Sequence, residues 1–479
     1  MTTEAQIGVI LESGLYDWQI LQQDATGFAT LPLQGRWVAD EAATGQPCVV
    51  EVRVVAGDTG VAVNRTLDWQ AAVAEADGCW QLTLRVPAGG LYRLETRCRT
   101  TTPPEAEWSL RGDMRHFWGV GDLWVIAGQS NSAGYGRGAV YDPPELGIHL
   151  FRNNEQWALA AHPMNDSTDT AHIVNRERAN PAHSPYLHFA RLLKQQLHYP
   201  ICLVQTALGG SPLSAWNPTE TGPAVLYHNM MHSIAKAGGA VKGILWYQGE
   251  SDAGPGLAES YADRFQAAAS AWREALHQPD LPILTVQLNR YCQPPETITA
   301  ESAGMARAWT LIRETQRQLA RTMSQVAVVP TLDLTLSDLI HTGPAGNMLI
   351  GERLARAALG MVYGQPVDYQ APDLQEARLI EQGAAVELHF AHVLDRLDNL
   401  DRAANGFKVE DSAGDVPITA VHYPMNATIQ LRLARPLVGA AVVHGAYGYN
   451  PPLAPVDMDR VLPILGFYGV GIETMIMTV

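Results

Sequence analysis

The sequence predicts an α/β protein, with a helix-covered parallel sheet in the middle of the chain and a β-rich region on either side. Two observations carry this. From about residue 116 to 365, short continuously apolar runs alternate with amphipathic stretches of helical period. Strands of that kind are buried on both faces, which in a parallel sheet means helices on both sides. Before and after this region the period falls to two, with frequent glycine and proline turns, as in antiparallel strands. A chain of 479 residues also exceeds one ordinary core, so three units are expected, at 1–115, 116–365 and 366–479.

In the first unit, Val50, Val52 and Val54 alternate with Glu51 and Arg53, and Trp80, Leu82, Leu84 and Val86 with Gln81, Thr83 and Arg85. Tyr92, Leu94, Thr96 and Cys98 follow after the turn Ala88-Gly89-Gly90. A sandwich-like accessory domain without an acid, base or metal cluster is expected. In the middle unit the strands fall at 123–127, 201–206, 243–247, 283–288 and 326–329, with helices at 185–198, 225–236, 257–276 and 306–322. In the last, Val386, Leu388 and Phe390 alternate with Glu387 and His389, and Ile429, Leu431 and Leu433 with Gln430 and Arg432. These mark a second small β domain.

Composition narrows the class. The chain is 47% hydrophobic and 17% charged, as in ordinary globular proteins. A formal charge of −16 with no Lys/Arg-rich run argues against a nucleic-acid partner. The apolar runs fall short of the roughly 20 residues that cross a membrane, so no membrane association is expected. The start, Met1-Thr-Thr-Glu-Ala-Gln-Ile7, lacks the basic and apolar parts of a signal peptide, so a cytoplasmic location is expected. Cys48, Cys79, Cys98, Cys202 and Cys292 show no repeating spacing, which indicates neither a disulfide framework nor a zinc cluster.

In open parallel sheets, ligands bind beyond the C-terminal strand ends. The run at 123–127 delivers Gln129-Ser130-Asn131, and that at 201–206 delivers Leu208-Gly209-Gly210-Ser211 and then Trp216. The run at 243–247 delivers Gln248-Gly-Glu250-Ser-Asp252, and the last leads to Asp338-Leu-Ile-His341. Alone, Ser130 reads as a helix N-cap, Gly209-Gly210 as a turn, Gln248-Gly-Glu250 as a helix start, and Asp338 with His341 as a solvated turn. Together they are complementary: a hydroxyl nucleophile, a base with a carboxylate three residues away to orient it, and N–H donors unscreened by a Cβ. The Gln248 amide can join the N–H groups of Ser130 and Gly210 in an oxyanion hole. Gln129 and Asn131 are expected to support the serine's turn. Trp216 and Tyr247 can offer a sugar platform or lie in the core, and Glu250 can bond the site or cap a helix.

Two other chemistries are disfavoured. Gly134-Tyr-Gly136-Arg-Gly138 lacks the lysine of a phosphate loop and the spacing of a dinucleotide fingerprint. His172, His183 and His188 share a region without a short metal-ligand pairing, so no metal site is expected.

The motifs Gly128-Gln-Ser-Asn131, Leu208-Gly-Gly-Ser-Pro-Leu-Ser-Ala-Trp216, Trp246-Tyr-Gln-Gly-Glu-Ser-Asp252 and Asp338-Leu-Ile-His341 resemble the ordered blocks of the sialate O-acetylesterase family, within the SGNH hydrolases. Asp77-Gly-Cys-Trp-Gln-Leu-Thr-Leu84, Gly89-Gly-Leu-Tyr-Arg-Leu94 and Tyr447-Gly-Tyr-Asn-Pro-Pro452 extend the likeness more weakly into both flanks. The resemblance implies a flavodoxin-like three-layer α/β/α catalytic domain and a serine esterase acting on O-acetylated carbohydrate, without metal or organic cofactor. It implies Ser130 as nucleophile, His341 as base, Asp338 as its orienting acid, and Gly210 and Gln248 as oxyanion donors. Two departures stand out: Ser132 occupies a position where the family commonly has methionine, and Thr-Gly-Pro follows His341 in place of an immediate proline. Alternatives within reach of the same residues are an acetylxylan or other polysaccharide acetyl esterase, a lipase-like SGNH esterase, and a non-catalytic carbohydrate-binding protein on a decayed hydrolase core.

Overall fold

The computed structural model describes residues 8–38, 48–75, 78–100, 109–292, 300–401 and 405–474. Met1–Ile7 and Asp77, which entered the reading above, lie outside the described residues.

The architecture turns on one long strand, Ser109–Gly128. Its first half pairs antiparallel with Gly89–Thr100, which pairs in turn with Cys48–Ala56. Its second half lies parallel between Ile201–Gln205 and Gly243–Tyr247. The boundary expected near residue 115 therefore falls inside a strand, and hydrogen bonding runs through it in a single 11-stranded sheet. Trp118 and Val120 pack in the N-terminal core, with Leu31, Val52, Trp80 and Leu94, while Leu123, Trp124 and Val125 pack in the main one. No proline interrupts 114–127, and Gly119 and Gly121 stay within the strand. A separate four-stranded sheet, including Gly8–Ser13, Phe28–Val38 and Cys79–Pro87, closes the other side of the N-terminal core.

Across the main sheet the order is Trp157–Leu159, Ile148–Phe151, Ile201–Gln205, Ser109–Gly128, Gly243–Tyr247, Ile283–Val286 and Val326–Val329. The pairs are parallel except at the Trp157–Leu159 edge. After the central strand the chain goes out to Ile148–Phe151 and Trp157–Leu159, returns to Ile201–Gln205 beside it, and then crosses to Gly243–Tyr247 on the other side, the kind of switch point beyond whose strand ends ligands bind. The helices are α1 (Ser130–Ala133), α2 (Tyr186–Leu197), α3 (Val225–Lys236), α4 (Leu257–Ala275), α5 (Ala300–Thr322) and α6 (Pro344–Ala357). Helix α6 begins with proline at its first position, where the missing N–H is no loss.

Ile148–Phe151 and α6 were not marked in the sequence. The strand is short and carries His149 in its middle, a polar residue that breaks the apolar run. Tertiary packing accommodates it: His149 is fully buried and its Nδ1–H donates to the Trp18 carbonyl at 2.6 Å. Helix α6 opens with proline and two glycines in its first eight residues, which masks its period.

The C-terminal region is an eight-stranded sheet, antiparallel except where Asp373–Ile380 meets Phe467–Thr474. Helix α5 fastens it to the main sheet. Arg313, fully buried, donates from its guanidinium to the carbonyls of Leu288, Asn289, Ala446 and Gly448. Those acceptors offset the desolvation of the charge. Cys202 and Cys292 are free thiols. Among the described residues no helix is long and apolar enough to cross a membrane.

Candidate active site

The central strand ends at Gly128, with φ of +119°, where an added Cβ would lie 2.2 Å from the Tyr247 carbonyl oxygen. Only glycine lets the two strands approach so closely and the chain turn away there. Gln129 follows as the N-cap and Ser130 opens α1. The turn is tied down from several sides. The Gln129 N–H donates to Tyr247 O (3.0 Å), and its Oε1 accepts from the Ser251 N–H (3.0 Å). The Ser132 hydroxyl donates to Ala127 O (2.8 Å) and shares a 2.6 Å hydrogen bond with Tyr186 OH. Ser130 thus sits on a rigid corner with little of its surface exposed.

Asn131 connects this corner to the distant loop carrying His341. Its Oδ1 accepts from the Thr342 N–H (3.0 Å), while its Nδ2 donates to Ile340 O (3.3 Å) and Glu250 Oε1 (2.8 Å). The residue after Ser130 therefore grips both chain neighbours of His341. Asp338 Oδ2 accepts from His341 Nδ1 at 2.7 Å, and its Oδ1 accepts from the N–H groups of Ile340 and His341. Burial works to raise the Asp338 carboxyl, but these hydrogen bonds outweigh it and hold it below the usual carboxylate range. The Tyr135 ring stacks on the imidazole at 5.1 Å and 27°. Among the described residues no hydrogen bond joins Ser130 Oγ to His341, whose Nδ1 is the ring nitrogen bonded to Asp338.

The glycine pair divides its work. Gly209 donates its N–H to Glu177 Oε1 at 2.9 Å. Gly210 is exposed, with φ of +69° and no atom within 4 Å of where a Cβ would stand. Neither its N–H nor that of Ser130 is spent on another protein group among the described residues.

One expectation, for Gln248, is corrected, and the alternatives left open for Trp216 and Tyr247 are decided. Gln248 does not present its amide to the crevice: it is fully buried, and its Nε2 donates to Asp252 Oδ2 (2.6 Å), Gln129 Oε1 (3.3 Å) and Ser211 O (3.3 Å). Its Oε1 accepts from Tyr261 OH (2.8 Å), so both hydrogens and the carbonyl are committed to scaffolding. Trp216 is not a sugar platform. It is fully buried, donates to Ser211 Oγ and meets Trp246 edge-on at 5.5 Å. Tyr247 is fully buried as well. Glu250 bonds the site through Asn131, its Oε2 is buried without a partner, and burial raises its pKa.

Three residues near the crevice had not been singled out as site residues. Tyr135 OH donates to Glu177 Oε2 (2.7 Å), and Asn165 Nδ2 donates to Glu177 Oε1 (2.6 Å) and Ala207 O (3.2 Å). Glu177 is thus the hub that holds Gly209 and Tyr135. Tyr135 lay in the glycine-rich stretch weighed for phosphate, whereas Glu177 carried no local signal. Cavities of about 760 and 830 Å³ lie elsewhere, lined by residues such as Leu91 and Tyr199 or Lys242 and Pro282 at the N-terminal strand ends. Ser130 and Gln248 instead follow the C-terminal ends of their strands.

A family model described as carbohydrate esterase, sialic acid-specific acetylesterase, matches residues 120–360. A probable carbohydrate esterase of Arabidopsis thaliana is 29% identical over 262 residues, covering 50% of this chain and 90% of that protein. Human sialate O-acetylesterase is 32% identical over 111 residues, 19% of this chain and 21% of the human protein. The crystal structure of a carbohydrate acetylesterase from Xanthomonas citri superimposes with a TM-score of 0.65 at 22% identity, covering 96% of this chain and 99% of the other. The two share an α/β fold with mixed sheets and a β-rich C-terminal region.

Proposed function

Because the chain belongs to the sialic acid-specific acetylesterase family of carbohydrate esterases, we propose that it removes O-acetyl groups from a sugar through an acetyl-enzyme formed on Ser130. His341 is the base and Asp338 its orienting acid, in an SGNH-type three-layer domain. The observation that supports this reading is that Asn131, next in the chain to Ser130, is hydrogen-bonded to Ile340 and Thr342 on either side of His341.

Ser130 Oγ attacks the ester carbonyl and its proton passes to His341 Nε2, while Nδ1–H stays on Asp338. The resulting oxyanion takes hydrogen bonds from the N–H groups of Ser130 and Gly210, each of them worth about 3 kcal/mol in the transition state. The tetrahedral intermediate collapses as His341 protonates the departing sugar oxygen, leaving acetyl-Ser130. Water, deprotonated by His341, then attacks the acetyl carbonyl, and Ser130 recovers its proton as acetate leaves. Gln248 contributes by fixing Gln129 and the turn before Ser130.

The substrate we assign is a sialic acid O-acetyl ester or a related acetylated glycan. Acetate release from an aryl acetate by wild type and Ser130→Ala tests the mechanism, and equal rates would sink it. A panel of O-acetylated sialic acids, xylo-oligosaccharides and manno-oligosaccharides then separates a sialate enzyme from a polysaccharide acetyl esterase.

A further inference from the structure

The sequence offered no short metal-ligand pairing around His172, but folding brings it partners from two other elements. Glu155, in the turn between Ile148–Phe151 and Trp157–Leu159, and His232, on α3, converge on it. His172 Nε2 lies 2.9 Å and His232 Nε2 2.7 Å from the same oxygen, Glu155 Oε1. The two imidazoles stand edge to face, 4.4 Å apart at 72°.

We propose that Glu155, His172 and His232 form a divalent-cation site of zinc type, apart from the esterase centre. A tetrahedral ion bonded at about 2.0–2.1 Å sets its donor atoms roughly 3.3 Å apart, so each imidazole nitrogen needs to draw back from Glu155 Oε1 by only about 0.4–0.6 Å. Two imidazoles and a carboxylate suit zinc and its neighbours, not calcium or magnesium, which take oxygen. The side chains are 26%, 35% and 39% exposed for Glu155, His172 and His232, which leaves a fourth position for water and a path for entry. Lys236 Nζ, 3.8 Å from Glu155 Oε2, is half-exposed on a flexible stem and can swing aside.

A second cluster, Asp142 with His162 and His183, has similar geometry but a different character. Arg191 already neutralises Asp142 Oδ1, and both imidazole Nδ1 atoms are buried without a partner. That cluster reads as a structural ion-pair network.

An ion at Glu155 would pin its turn to α3 and to the segment after His172. Asn153, two residues before Glu155, begins a hydrogen-bond chain to the esterase crevice. Its Nδ2 donates to Asn165 Oδ1 (2.6 Å), Asn165 donates to Glu177, and Glu177 holds Gly209 and Tyr135.

The test is calorimetric titration of chelator-stripped full-length protein with Zn²⁺, and of the same protein with Co²⁺ followed by visible absorption. Wild type is expected to take up a single equivalent with the intense bands of tetrahedral cobalt. Glu155→Gln, nearly isosteric, and His172→Ala/His232→Ala should each weaken binding by at least about 100-fold, beyond what loss of an outer partner produces. His162→Ala should leave binding intact. A wild type that takes up no stoichiometric ion overturns the proposal, as does binding that survives in Glu155→Gln or moves with His162. Should the double variant fail to fold, Glu155→Gln decides.

Discussion

Asn131→Ala tests whether the nucleophile and base are held in register by one side chain. The substitution removes the acceptor of the Thr342 N–H at 3.0 Å, a buried group, and the donor to Glu250 Oε1 at 2.8 Å. The bond to Ile340 O, at 3.3 Å, is long and contributes less. Leaving a buried N–H unpaired costs about 1–3 kcal/mol, and losing a hydrogen bond to a carboxyl about another 1–2, so roughly 2–5 kcal/mol of stability should go. The kinetic effect should be larger than the stability loss alone implies. Once the His341 loop is free to shift by about 1 Å, near-attack geometry is lost and kcat should drop on the order of 100-fold, with KM for a small aryl acetate little changed. Steady-state kinetics at a temperature well below the variant's Tm measures this, with Tm taken in parallel. Asn131→Asp is the companion, since it keeps an acceptor for Thr342 but sets a second carboxyl against Glu250. Should Asn131→Ala lose the expected stability yet keep kcat within about threefold, other contacts hold Ser130 and His341 together and the argument from Asn131 fails.

Other perturbations test neighbouring claims. Gln248→Ala should lower Tm, because Asp252 loses a 2.6 Å donor in the interior; a fall in kcat of about 100–1000-fold at unchanged Tm would instead return Gln248 to the oxyanion hole. Tyr135→Phe keeps the ring over His341 and should change kcat less than about threefold, whereas Tyr135→Ala should cost up to about tenfold, the value of an aromatic pair. Equal losses in the two would assign the effect to the hydroxyl on Glu177. His149 is pushed down to about 4 by burial, from an ordinary value of 6.5. Above pH 6.5 both states are neutral there and nothing is gained or lost. As pH falls from 6.5 to 4 the unfolded chain takes up a proton that the folded one refuses, which removes about 3 kcal/mol of stability. Denaturant titrations at pH 7 and pH 4 should show that extra loss in wild type and not in His149→Gln, and matching losses would refute it.

Local physics made parts of the fold legible. The strands Gly243–Tyr247 and Val326–Val329 are short apolar runs buried on both faces, and α3 carries its period without interruption, so their bounds could be read directly. Ile148–Phe151 was illegible because burying His149 depends on Trp18, a residue far along the chain. The strand Ser109–Gly128 reached past the expected boundary because composition changes along it while its hydrogen bonding does not.

Residue types and spacing brought forward Ser130, Asp338 and His341, since a strand end and a three-residue turn are features of local sequence. The pairing of His341 with Asp338 is likewise short-range. Side-chain direction is another matter. Whether Gln248 faced the crevice or the interior was decided by Asp252, Gln129 and Tyr261, and Trp216 was drawn into the core by Trp246 and Ser211. Glu177, Tyr135 and the meeting of Glu155 with His172 and His232 exist only once distant segments are packed together. Periodicity and turn chemistry act over a few residues, so the sequence by itself determined the strands, the strand ends and the chemistry available there. Which of those groups meet, and which are consumed as scaffolding, is a property of long-range packing that only the tertiary structure decided.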